Sequence, residues 1–183
     1  MSYRVVIRKG ATMFERLNTP TEAYNYKLGA ALKMEQKVLK ILDSAIEESK
    51  NKKVRELLSH HRSESEGHVR NVEEAFRAMG WEPDDSPCPA IDGLQAEAKA
   101  NAKKADDALI DLVLLQGAVE VEHHEMGTYE NLIMTARAMG HDKVAGLLEK
   151  NLESERKALH LASEAERQLA QATPIGGSDS SAS

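Results

Sequence analysis

The sequence predicts an all-α protein: a four-helix bundle with a long crossover between helices two and three that carries a short extra helix. Two observations predict this. Charged residues make up 30% of the 183 and aromatics only 4%, and Ala, Glu, Lys and Leu dominate, as they do in long helices with a wet face. The chain also repeats itself. FRAMG (76–80) returns as ARAMG (136–140), and KVRELL (53–58) returns as KVAGLL (143–148). The second recurrence has an offset of about 90 residues and divides the chain into two helical hairpins of one design.

The length suits one domain with its own core. It divides into an N-terminal extension over 1–18, the bundle over 19–172, and a polar tail over 173–183 that reads as disordered. The net charge of −6 argues against nucleic acid as a partner. No run approaches the ~20 apolar residues of a membrane span, and the start lacks the apolar core of a signal peptide. Cys88, the single cysteine, excludes an internal disulfide and every cysteine-based metal motif. These features place the protein in the cytoplasm, away from membranes.

In the extension, YRVVIR reads as a short extended segment and ATMFERLN as a helical turn. Helix one starts at a capping box: Thr19 suits the cap, Pro20 the first helical position and Glu22 the third. It runs to about Ser49 on the stripe Leu28, Leu32, Glu35, Val38, Leu42 and Ile46. Asn51 caps helix two, which stops at Gly80. Its stripe is Val54, Leu58, His61, Ser65, His68, Val72 and Phe76. Three prolines make residues 81–90 a loop, and a short helix over about Ile91–Lys103 follows. Helix three covers Asp106–Met139 without a proline, with Leu115, Val119, Met126, Tyr129, Ile133 and Ala136 on its stripe. Helix four covers about Asp142–Ala172, lined by Val144, Leu148, Asn151, Leu152, Glu155, Ala158 and Ala162.

Acids stand where apolar residues belong. Glu35, Glu122 and Glu155 lie on the centre lines of three apolar faces, and Glu125 and Glu64 lie on flanks. An ionised carboxylate taken out of water must be neutralised, paired or bound. Heights agree as well. Glu35 and Glu64 lie about 15 residues from the first hairpin turn, and Glu125 and Glu155 lie about as far from the second, so each is roughly 20–22 Å from its turn. Four helices therefore bring acids to one layer, with Glu122 and His68 about one turn further along. Such a layer suits two divalent ions, whose mutual repulsion carboxylates offset.

Taken singly, each residue has an ordinary structural reading. A lone glutamate in a stripe usually snorkels or pairs with a base, as Glu125 would. His61 is a satisfied core histidine, and for His68 the core and ligand readings weigh equally. His123 and His124 are exposed or support other groups. Tyr129, Met126, Met134 and Met139 pack the core. Glu120 faces away from the stripe, so the Glu120-x-x-His123 match is discounted.

The segments MEQKVL (34–39), HRSESEGHV (61–69), DAL (107–109), VEHHE (121–125) with Tyr129, and LESER (152–156) resemble the YciF-like branch of the ferritin-like superfamily. The resemblance covers about residues 20–168. It implies a ferritin-like bundle, stress association, frequent dimerisation and a candidate di-iron centre, without naming a reaction. Glu35, Glu64, Glu122, Glu125 and Glu155 fall on the family's acidic positions. Leu32 stands where the family often has tyrosine, and Leu159 where it often has aspartate. The helix-one proline common in the family is missing.

The leading functional reading is a di-metal carboxylate protein holding iron or manganese, for O2- or peroxide-linked metal oxidation or for metal sequestration. Glu35 and Glu155 would each bind one ion, Glu64 and Glu122 would bridge, and His68 and Glu125 would complete the set. An oxidase- or peroxidase-type activity would follow. The alternative is a metal-free bundle acting as a structural or protein-interaction stress module. A third reading is storage in a large shell, for which the tail offers no support.

Overall fold

The computed structural model describes residues 16–172. The expected extended segment and the polar tail lie outside them, as does most of the expected N-terminal helical turn. Arg16, Leu17 and Asn18 precede the first helix without regular structure. The described chain forms α1 (Pro20–Glu48), α2 (Lys52–Ala78), α3 (Pro89–Ala102), α4 (Ile110–Ala138) and α5 (Asp142–Ala172).

Local chemistry sets the ends. The Glu22 backbone N–H donates to Thr19 Oγ1 at 3.1 Å, and the Glu22 carboxylate accepts from the Thr19 and Asn18 N–H groups at 3.1 and 2.8 Å. This reciprocal capping box satisfies donors that the first turn leaves free. Asn51 accepts from the Lys53 N–H at 2.9 Å and opens α2. α2 and α4 stop in the same way. Gly80 N–H donates to the Arg77 carbonyl and Trp81 N–H to that of Phe76; Gly140 and His141 repeat this with Arg137 and Ala136. Both glycines adopt the left-handed conformation (φ 76° and 78°), which that 6→1 closure requires. The FRAMG/ARAMG recurrence is thus a shared helix stop, and only the KVRELL/KVAGLL recurrence relates the hairpins.

Three expectations change. Asp106 does not open the third long helix. Its carbonyl accepts from the Leu109 and Ile110 N–H groups, closing a turn, and α4 begins at Ile110. Pro89 does not extend the loop: it occupies the first turn of α3, where the missing N–H costs nothing. Met134 is 65% exposed, because it lies on the outer side of α4. Met126 and Met139 are only partly buried against the core.

α1 pairs with α2 and α4 with α5, while α2 packs on α5 and α1 on α4. The Asp111 carboxylate in the first turn of α4 accepts from Ser49 Oγ (2.6 Å), Lys50 N (3.1 Å) and Asn51 N (2.9 Å). α4 therefore starts where α1 ends and runs antiparallel to it. Lys143, early in α5, bonds Glu74, late in α2, at 3.0 Å, so that pair is antiparallel too. The crossover lays α3 against α4 and α1 and buries Ile91. Leu28, Met34, Leu58, Phe76, Leu115 and Leu148 fill the centre.

The crossover passes close against α1 at Gly29. A Cβ there would lie 2.5 Å from Ser86 Oγ, 2.9 Å from the Asp84 carbonyl oxygen and 3.0 Å from Ser86 N. Two of these are backbone atoms and cannot rotate away. Alanine gains up to ~1 kcal/mol over glycine inside a helix, whereas overpacking costs about 1–3 kcal/mol. Gly29→Ala is therefore expected to lower stability in urea denaturation. Gly127→Ala, with no atom within 4 Å of the added Cβ, is expected to raise it. A Gly29→Ala protein more stable than the parent would refute the close approach.

Candidate metal centre

The long helices each bring part of one buried polar layer. α1 contributes Glu35, α2 contributes His61, Ser65 and His68, α4 contributes Glu122, Glu125 and Tyr129, and α5 contributes Asn151 and Glu155. All are buried, and Glu35, Glu125 and Glu155 are wholly so. On α2 the positions 61, 65 and 68 follow i, i+4, i+7 and share a face. Glu122 and Glu125 are one turn apart on α4.

Ligand-type atoms converge in two groups. In one, His61, Glu122, Glu125 and Glu155 each offer an atom within 4.8 Å of the others; in the other, Glu35, His68 and Glu155 do the same. Glu155 is common to both. Its Oε1 lies 2.7 Å from His68 Nδ1 and its Oε2 lies 3.8 Å from His61 Nε2. His61 Nε2 also lies 2.9 Å from Glu122 Oε1, and His68 Nδ1 lies 3.8 Å from Glu35 Oε2.

Closeness is not pairing here. Both nitrogens of His61, Nδ1 of His68, both oxygens of Glu125 and Glu155, and one oxygen each of Glu35 and Glu122 have no hydrogen-bond partner. His61 Nε2–Glu122 Oε1 (2.9 Å) and His68 Nδ1–Glu155 Oε1 (2.7 Å) are close ion-pair contacts that do not meet hydrogen-bond geometry. Apart from Tyr24 Oη, every buried side-chain nitrogen or oxygen left without a partner among the described residues belongs to this layer. Native interiors rarely tolerate such groups unless water or an ion completes them.

One partnered edge supports the layer. Tyr129 Oη donates to Glu35 Oε1. Asn151 Nδ2 donates to Tyr129 Oη at 2.9 Å and to the His68 carbonyl at 3.2 Å. Asn71 Nδ2 donates to Asn151 Oδ1 at 2.7 Å. This chain ties all four long helices together and fixes Glu35.

Crowding moves the proton equilibria. Burial, then the charge of Glu155, pushes the Glu35 carboxyl up to about 8. Burial and neighbouring carboxylates hold Glu125 and Glu155 well above the usual carboxylate range. Burial opposes the His61 imidazolium, but Glu122 outweighs it, with Glu155 and Glu35 adding, and His61 rises to about 9. Burial lowers His68.

Of the residues singled out in the sequence, Glu35, His68, Glu122, Glu125 and Glu155 meet in the layer. Glu64 joins neither group. Its side chain is 34% exposed, 3.6 Å from His60 and 3.9 Å from His61. Ser65 occupies the inward position of α2, so Glu64 is turned about 100° aside. Glu155 is the one carboxylate common to both groups. His61 enters as a member; its place seven residues before His68 on the same stripe was its only signal. Tyr129 is core, as read, but its hydroxyl also serves Glu35. Glu120 and His123 are exposed, and half-buried His124 lies 3.9 Å from Cys88 Sγ, outside both groups.

Comparison with known proteins gives a consistent picture. The family model DUF892, a domain of unknown function, matches residues 19–173. Protein YciF of Escherichia coli K12 is 23% identical over 142 residues, covering 76% of this chain and 86% of its own. YcfI of Rhodopseudomonas palustris superposes with a TM-score of 0.79 at 30% identity, covering 82% of this chain and 96% of that one. The E. coli stress protein YciF gives 0.80 at 21% identity, with 86% and 100% covered. A two-domain Anabaena variabilis protein with dj-1/thij/pfpi-like and ferritin-like domains gives 0.65 at 14%, covering 91% of this chain and 42% of that one. With a family model spanning nearly the whole helical region, and with the bundle fold shared with YciF, this chain belongs to the DUF892 family.

Proposed function

We propose that this protein is a stress-associated, ferritin-like metal protein, with iron or manganese held as a di-metal carboxylate centre for O2- or peroxide-linked metal oxidation or metal sequestration. The observation that carries this reading is the convergence of partnerless donor atoms in the buried layer. The donor types fit. Ferritin-like di-metal proteins use four glutamates and two histidines, and Glu35, Glu122, Glu125, Glu155, His61 and His68 make up that inventory. The distribution is this chain's own, since both imidazoles come from α2. Carboxylate and imidazole donors suit iron and manganese, and four carboxylates neutralise two divalent ions.

In this reading Glu155 spans both positions. Glu35 and His68 complete one, and His61, Glu122 and Glu125 complete the other. Tyr129 and Asn151 orient Glu35, as outer partners orient metal ligands. Bound iron or manganese would supply one-electron chemistry toward dioxygen or peroxide. Stress association rests on the likeness to YciF, which is described as a stress protein. Homodimerisation follows the family resemblance and a cytoplasmic place follows the composition, and no described helix is long and apolar enough to cross a membrane.

Metal analysis of purified protein tests this directly. The parent is expected to take up about two ions per chain and to melt higher on adding iron or manganese. Glu155→Ala is expected to lose both ions, because each position uses that residue, whereas Glu64→Ala should keep them. Negligible uptake with no thermal shift would favour the metal-free interaction module.

Acidity supplies a second test. Glu35 titrates near 4.5 when unfolded and near 8 when folded, so between those values the folded state holds the extra proton. Stability then falls as pH rises through that window, by about 1.4 kcal/mol per pH unit for each such group. His61, raised to about 9, acts in the same direction above its ordinary value. His68, lowered, acts oppositely, and only below its ordinary value. Chelator-treated protein should therefore lose stability to urea between about pH 6.5 and 8.5. Metal binding needs deprotonated ligands, so the stabilisation by added metal should grow over that range. A flat profile for the metal-free protein would contradict the burial of these charges.

A further inference from the structure

A cavity of about 50 Å³ lies among α1, α3 and α4, bounded also by α2. Its buried wall is apolar: Val38, Leu58 and Val121 line it. It exists because α3 and α4 meet through small residues. Ala98, Gly117 and Ala118 line it, and a Cβ on Gly117 would touch the Ala98 methyl at 3.5 Å. Exposed Glu48 and Lys99 mark its solvent side. His61 and Glu122, both members of the buried layer, line it as well. The cavity thus has exposed residues on one side and two members of the buried layer on another, with a mainly apolar wall between them.

We propose that this cavity is where dioxygen reaches the cluster, an assignment that rests on the di-metal reading above. Size narrows the occupant first. One water needs roughly 10–15 Å³ by the same kind of measure, and a cavity that holds benzene is about 150 Å³. A volume between these takes a molecule of two or three heavy atoms and rejects an alkyl chain or an aromatic ring. Polarity narrows it further. Hydrogen peroxide or a hydrated cation would surrender hydrogen bonds that Val38, Leu58 and Val121 cannot replace. Dioxygen has none to lose. The substrate class at this site is therefore an apolar diatomic gas.

The test uses the full chain after chelation, with dissolved oxygen under pressure as the probe. Oxygen is paramagnetic and speeds the relaxation of methyl groups it visits. The Val38, Leu58 and Val121 methyls should relax several-fold faster than those of Val72 and Leu148, which are equally buried but lie away from the cavity. Ala118→Leu fills the space and should abolish the excess. Ala98→Leu does so from α3 and serves if the first variant does not fold. In metal-loaded protein either variant should keep the parent's metal stoichiometry and slow oxygen-dependent ferrous oxidation by an order of magnitude. Equal relaxation at all five residues overturns the proposal, as does an excess that survives both fillings. Oxygen collecting at these methyls in a chain that takes up no metal would keep the gas site and overturn the metal reading it serves.

Discussion

Four carboxyl groups, Glu35, Glu122, Glu125 and Glu155, leave water together when the long helices close. Burying one ionised carboxylate costs several kcal/mol even after relaxation, and four in one volume also repel each other. The protein offers little in return. Tyr129 supplies one hydrogen bond to Glu35, and His61 and His68 approach without aligning. The lysine and arginine ion pairs among the described residues stay near the surface, as in Arg62–Asp43 and Lys143–Glu74, where such pairs contribute about 0–1 kcal/mol. The layer's charge must be settled by protons or by small cations. The raised proton affinities of Glu35, Glu125 and Glu155 express that demand.

Much of the remaining structure serves to hold those groups level. One residue of slip along a helix moves a side chain ~1.5 Å and turns it ~100°, enough to remove it from a group whose members lie within 4.8 Å. The ends of the helices are accordingly fixed by local chemistry. Thr19 and Glu22 fix the start of α1, and Asn51 that of α2. Gly80 and Gly140 fix the stops of α2 and α4. Asp111 ties the first hairpin turn to α4, and the close passage at Gly29 sets the crossover against α1. The Asn71–Asn151–Tyr129–Glu35 chain then registers the helices against one another at the layer itself.

What could be read from the sequence follows this division. Caps and stops are local, so Thr19, Asn51, Gly80 and Gly140 were legible, and apolar stripes exposed Glu35, Glu122 and Glu155 by contrast with their neighbours. Features that depend on phase or on another helix were not. Glu64 has the right height, but height along a rod says nothing of direction, and Ser65 faces inward. His61 on an apolar face has the same pattern whether it is a packed core histidine or a member of a cluster; only Glu122 and Glu155 beside it decide. The bonds of Tyr129 and Asn151 run between helices and leave no trace in either segment. Asp106 misled because aspartate at a helix start and aspartate closing a turn are the same residue in the same setting. The cavity, formed by small residues meeting across α3 and α4, has no one-dimensional signature.

Charge balance gives meaning to a departure that looks like a defect. Leu159 stands where the family resemblance leads one to expect aspartate, and the loss of that acid first suggests a poorer second metal position. With Glu64 turned outward, however, the buried layer already holds four carboxylates and two imidazoles. Two divalent ions with neutral histidines would bring that set to zero. A fifth acid would then leave one negative charge uncompensated in a buried volume. The two groups are also unequal. One draws on His61, Glu122, Glu125 and Glu155, and the other on Glu35, His68 and Glu155. The larger group is the one whose His61 and Glu122 line the apolar cavity. The smaller one is braced by Tyr129 and Asn151. Were both groups to hold ions, the larger would stand beside the apolar cavity and the smaller would be held more rigidly by Tyr129 and Asn151.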